Sequence, residues 1–177
     1  MRVKLSPKEI FFRQIKMSSP QRPKLGVQEL NEIDRLSYDR AEKILIEARK
    51  QLDALDYDLT VRRCQEAFEL YLKGIFRFLD TSYPASHDLR KQIYTLTAAL
   101  KGYQIDGRQI ARLVLASSVL QIWRSPAFYG DETLGVGGLF GSEEAKLALL
   151  YTELGRVVCA IVRDRVYRQA VTYSGSK

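Results

Sequence analysis

Apolar residues recur along this chain at intervals of three and four, the spacing of one face of an α-helix. The clearest run lies between Tyr57 and Leu79. There Val61, Cys64, Phe68, Tyr71, Leu72, Ile75 and Leu79 share one face, while Gln65, Glu66, Glu69 and Lys73 fall on the other. A second run precedes it. From Gln28 to Leu55, the positions Leu30, Ile33, Ser37, Ala41, Ile44, Ala48, Leu52 and Leu55 step by three or four, and Ser37 marks the place for a break. At ~1.5 Å per residue this helix is roughly 40 Å long. The turn Asp56-Tyr57-Asp58 joins the two as an antiparallel hairpin.

Downstream, the segment 80–86 contains Pro84 and is expected to be a loop. Ser86 or His87 then starts a third helix, with Asp88 in its first turn and Leu89, Ile93, Leu96 and Leu100 on its apolar face. Gly102 ends it. A fourth helix is predicted from Asp106 to Trp123, with Ile110, Leu113, Val114, Ser117, Leu120 and Trp123 on one side. Residues 124–141 read RSPAFYGDETLGVGGLFG. Pro126 and five glycines argue against a regular helix there. Loops of this length in compact domains are usually functional or disordered. Ser142 opens a last helix to about Arg168, with a seam of Ala145, Ala148, Leu149, Thr152, Gly155, Val158, Cys159 and Val162. No long alternation of period two and no hairpin turn signal predicts a strand. The expected class is all-α.

At 177 residues a single domain is the simplest organisation. A chain of this size removes roughly 70% of its unfolded surface from water and needs no disulfide or metal staple. No run approaches the roughly 20 apolar residues that span a bilayer. The start, MRVKLSPKEIFF, has basic residues but no sustained apolar core, so no signal peptide is expected. Cys64 and Cys159 both fall on predicted apolar faces and read as small buried hydrophobes. With one histidine far away in sequence they make no zinc site, and no metal or cofactor is expected. The cysteine usage suits a reducing, cytoplasmic compartment.

The net charge is +7 but is unevenly spread: residues 1–24 carry +6 and the remainder only +1. The chain is therefore a nearly neutral body with a cationic arm over 1–27 that includes Arg13 and Lys16. Ser6-Pro7-Lys8-Glu9 is a capping-box start for one short helix in the arm, and Ser18 to Lys24 is the best linker candidate. Such an arm can hold RNA, DNA or another acidic surface; a solvated tail is the alternative.

Three motifs together resemble the HEPN domains, small all-α proteins of archaea and bacteria. Tyr57-Asp58 followed by Gln65, Ala67, Glu69 and Lys73 is similar to the family's second helix. Ser82-Tyr83-Pro84-Ala85-Ser86-His87-Asp88-Leu89 is similar to its proline-containing loop before a His-Asp-Leu helix start. Arg124 with Tyr129-Gly130-Asp131-Glu132 resembles the arginine and aromatic-acidic turn before the closing helix. The resemblance spans about residues 28–168. It implies an up-and-down antiparallel bundle of four to five helices over 28–170, flanked by the arm and a tail at 171–177, and commonly a homodimer. An apolar excess on the last helix, in the doublets Val157-Val158 and Ile161-Val162, independently suggests burial on more than one side.

Many members of this family are ribonucleases of toxin–antitoxin and defence systems, and many assemble with a small nucleotidyltransferase. Their signature is an arginine, a polar residue, and a histidine four to six residues after the arginine. Here Ser125 follows Arg124, but Tyr129 or Gly130 stands nearest the histidine's place. Metal-independent RNA cleavage needs a base for the 2′-hydroxyl and an acid for the leaving oxygen, a task that suits histidine. Tyrosine titrates near ~10 and is a poor base. Arg124 retains the planar fork that matches phosphate oxygens.

The residues that remain suit binding better than catalysis. The expected ligand site is Arg124, Ser125, Tyr129, Asp131 and Glu132. Asp131-Glu132 either helps to hold Mg²⁺ with a substrate phosphate or caps a turn. His87 reads as a structural helix-start histidine, with acid–base chemistry as the alternative. Arg62 and Arg63, with Arg13 and Lys16, are candidate nucleic-acid contacts. The expected function is a nucleotide- or RNA-binding protein, catalytically weak or inactive. Two alternatives stand beside it: a ribonuclease with a rearranged site using Arg124, Tyr129 and His87 or Asp131, and a docking module for a nucleotidyltransferase.

Overall fold

The structure is a computed structural model and describes residues 25–82, 90–129 and 138–174. All regular structure among the described residues is helical, as the apolar spacing predicts. The arm with Arg13 and Lys16, the segment 83–89 with His87, and the segment 130–137 with Asp131 and Glu132 lie outside the described residues. Among those described, no helix is long and apolar enough to cross a membrane.

The first helical run is α1 (Val27–Ile33) and α2 (Asp39–Asp53), joined without interruption through a π-helical segment, Asp34–Tyr38. The anticipated break near Ser37 is thus a local widening of the helix. Ser37 is fully buried there, and Arg77 Nη1 donates to its hydroxyl at 2.9 Å. Leu55, expected on the apolar face, instead closes the helix with a positive φ of 61° and is 70% exposed. Asp56 caps the next helix, α3 (Tyr57–Phe78), accepting from the Leu59 N–H at 3.0 Å.

Helices α4 (Arg90–Thr95) and α5 (Thr97–Gly102) follow. Asp106 and Gln109 form a reciprocal capping box, with bonds of 2.7 and 2.9 Å, at the start of α6 (Gly107–Tyr129). The chain closes with α7 (Ser142–Ser174), whose start is fastened by the Gly141 N–H donating to Glu144 Oε2 at 3.0 Å.

The centre of the bundle is α3. Its principal neighbours are α7 and α2, and α6 packs alongside. Val61, Cys64, Phe68, Tyr71, Leu72 and Ile75 are buried as their spacing predicts. Buried Tyr71 reaches Glu42 Oε1 with its hydroxyl at 2.7 Å. Burial, and then this bond to a carboxylate, hold the phenol protonated well above its ordinary range.

The α3–α7 crossing is close because one partner at each contact is small. Phe68 faces Gly155, and Gly74 faces Cys159. Thr152, buried in the same seam, donates from its hydroxyl to the Cys64 carbonyl at 3.1 Å and to its own helix at Ala148 at 2.8 Å. Both cysteines are buried free thiols.

Candidate functional site

The largest departure from the sequence reading positions the site. The fourth helix was expected to end at Trp123, and it continues through Pro126 to Tyr129. Proline in a helix costs a backbone hydrogen bond and about 3 kcal/mol. Here the extra turns place Ala127 against the core, which offsets part of that cost. The Trp123 ring also packs on buried Phe140, with centroids 5.7 Å apart and planes at 58°. Arg124, Ser125 and Tyr129 therefore belong to the last turns of a helix rather than to a loop. The side chains of Ser125 and Tyr129 fall outside the described residues.

On α6, Ser117, Leu120, Gln121 and Arg124 share one face, because they recur every three or four residues. That face looks into a groove of about 390 Å³ whose other walls are α2, with Arg40 and Ile44, and α3, from Gln65 to Lys73. The volume suits a small ligand or one nucleotide unit. Phe68, Leu72 and Leu120, each 3% exposed, form an apolar floor. The rim is charged, with Arg40, Lys73 and Arg124 against Glu66 and Glu69.

Each carboxylate on the rim has a basic partner. Glu69 Oε1 lies 2.5 Å from Lys73 Nζ. Glu66 takes Arg63 at 2.7 Å and Arg62 at 3.5 Å, and Arg63 reaches Glu47 at 3.4 Å as well. With both acids matched, the groove keeps a net positive lining. Arg62 and Arg63, expected as nucleic-acid contacts, stand beside this groove as the counter-ions of Glu66.

Sequence reasoning missed part of this site. Gln65 was assigned to the polar face of α3, yet it is only 6% exposed. Its Nε2 donates to the Leu120 carbonyl at 2.8 Å, tying α3 to α6, and its buried Oε1 has no hydrogen-bond partner. Ser117 is equally buried on the opposite wall. Arg40 and Lys73 were not selected either. The polar stripe Gln65, Glu66, Glu69 and Lys73 was the available signal, since it is turned toward α2 and α6.

The end of the segment after α6 is fastened to the bundle by Asp58. Its carboxylate accepts from the backbone N–H of Gly138 at 2.5 Å and of Phe140 at 3.1 Å. This anchor holds α7's entrance against the first turn of α3.

A second charged cluster, between the last helix and the Asp34–Tyr38 segment, is internally matched. Arg163 Nε lies 2.8 Å from Asp34 Oδ1, close enough for an ion pair but without the alignment of a hydrogen bond. Its guanidinium stacks 4.6 Å from the Tyr38 ring centre, and the Tyr167 hydroxyl lies 2.8 Å from Asp34 Oδ2. Each of these contacts ties α7 to the α1–α2 helix, which is a structural role.

The all-helical order of these elements agrees with a sequence-family match. The family model for the HEPN domain matches residues 35–160. The chain belongs to the HEPN domain family. No match is found among curated proteins. The matched span takes in α2 through most of α7, so the groove and every residue lining it lie inside the HEPN domain.

Proposed function

We propose that this HEPN protein binds RNA or a nucleotide by its phosphate, in the groove between α2, α3 and α6, and is catalytically weak or inactive. One observation carries the reading: Arg124 and Arg40, beside the Lys73–Glu69 ion pair, rim an apolar floor in a groove of nucleotide size. Arginine offers phosphate a planar pair of donors. Phe68, Leu72 and Leu120 give a base or ribose an apolar surface. Weak catalysis is supported by the sequence after Arg124, where no histidine occurs through Asp131. A phenol or a carboxylate in that place is a poorer proton acceptor for a 2′-hydroxyl than an imidazole.

The test is fluorescence anisotropy with an end-labelled RNA and with a labelled mononucleotide, across a salt series. Arg124→Ala is expected to weaken binding about tenfold and to reduce the salt slope by about one. Arg112→Ala, exposed on α6 outside the groove, is expected to change it less than twofold. Absence of binding at low salt for both ligands would refute the proposal. Incubation of the same RNA with and without EDTA is expected to leave it intact. Cleavage that Arg124→Ala abolishes would replace this reading with the ribonuclease one. Co-purification of a nucleotidyltransferase from the native host would favour the docking reading.

A further inference from the structure

The floor of the groove holds neutral polar side chains among its apolar ones. Of the lining residues that are buried, Phe68, Leu72 and Leu120 are apolar, and Gln65 and Ser117, each 6% exposed, are polar. Charge at the rim holds a phosphate but does not tell one base from another. Discrimination falls to the buried polar pair, because a polar group that meets the wrong ligand there is left unpaired away from water.

Only half of the Gln65 amide is used by the fold. Its Nε2 donates to the Leu120 carbonyl at 2.8 Å, which fixes the orientation, since the swapped amide would set two oxygens against each other. Oε1 is thereby left as an acceptor, buried and without a partner. The clip to α6 accounts for the nitrogen and not for the oxygen. An unpaired buried acceptor disfavours the empty groove, and a ligand that brings an N–H to it removes that cost. The recess also selects the shape of the donor. Oε1 is covered from water, and the Leu120 carbonyl lies alongside. An exocyclic amine projects beyond its ring and reaches a recessed oxygen once the floor side chains shift. The imide N–H of uracil lies between two carbonyl oxygens, which the Gln65 and Leu120 oxygens repel. Phosphate and ribose bring no N–H at all.

We propose that Gln65 selects an amino-bearing nucleobase over uracil, by accepting a hydrogen bond from the exocyclic amine at Oε1. Ser117, on the α6 wall one turn before Leu120, supplies a hydroxyl for the ring nitrogen beside that amine. The inference rests on the phosphate-binding reading of the same groove, because Arg124 and Arg40 hold the phosphate of the same ligand.

The test is displacement of the end-labelled RNA from the full chain by nucleoside monophosphates, in two pairs that differ in the amine. AMP is set against purine riboside 5′-monophosphate, which is AMP without its amino group, and CMP against UMP. In each pair the amino-bearing member is expected to displace the RNA at about tenfold lower concentration, the worth of one buried hydrogen bond. Gln65→Met, which keeps the length of the side chain and removes the acceptor, is expected to reduce both ratios to less than about twofold. The wild-type ratios need no substitution, so the test holds even where Gln65→Met does not fold. Equal displacement within either pair, or ratios that Gln65→Met leaves unchanged, would overturn the inference. RNA binding that needs Arg124 but shows no base preference would leave the phosphate reading standing without it. Absence of RNA binding would overturn both.

Discussion

Gly155→Ala probes the closest helix contact in this bundle. A Cβ built at Gly155 stands 2.8 Å from Cδ2 and 3.0 Å from Cε2 of Phe68. Carbon atoms in contact sit at ~3.5 Å or more, so the ring must retreat by roughly 0.7 Å. Phe68 is 3% exposed and also floors the groove, which is its open side. Overpacking of this kind costs about 1–3 kcal/mol. Alanine returns about 1 kcal/mol in helix propensity. The net expectation is a loss of about 1 kcal/mol, or a fall in Tm of ~2–4 °C for a domain of this size. The assay is urea unfolding followed by far-UV circular dichroism at one fixed protein concentration. Gly107→Ala is the control, since a Cβ there meets nothing within 4 Å. It is expected to be neutral or slightly stabilising. Combining Gly155→Ala with Phe68→Leu should lose less than the sum of the two single changes, as expected for residues in contact. A Gly155→Ala protein as stable as the Gly107→Ala control would refute the close α3–α7 crossing.

Two further predictions concern charge and thiol chemistry. Burial raises the pKa of Glu153, but hydrogen bonds from Arg156 and Arg49 outweigh it, and the carboxyl is held below its ordinary range. Its contribution to stability is therefore fully present above the ordinary glutamate value and is lost as pH falls through the lowered folded value. Urea midpoints across acid pH should fall less steeply for Glu153→Gln than for wild type; identical slopes would show that the Arg49–Glu153–Arg156 cluster contributes nothing. Burial pushes the Cys64 thiol up to about 12 and raises Cys159 as well. A disulfide reagent at mildly alkaline pH should therefore leave both unreacted in the native protein and titrate both in urea. Rapid native reaction of either thiol would mean that the α3–α7 seam opens.

Much of this was legible in the sequence because helical periodicity is a local property. Burial of Ile93, Leu96 and Leu100, and of Ala145, Ala148 and Thr152, follows from spacing alone. So does the hairpin of α2 and α3 around Asp56. Local rules failed where packing overrode them. Pro126 reads as a stop, yet α6 continues to Tyr129, with Ala127 packed on the core. Gln65 reads as solvent-facing, yet the crossing of α6 buries it and takes its amide proton.

By itself, then, the chain determined which segments coil, which stripes are apolar and which family it belongs to, since these depend on neighbours three and four residues apart. The groove is a different matter. Arg40, Lys73 and Arg124 come from three helices, and nothing in their local sequence says they meet. They meet because α2 and α6 each pack along α3, and the amide of Gln65 on α3 ties the Leu120 carbonyl of α6 beside the groove. That packing joins residues far apart in sequence, which no local spacing reports.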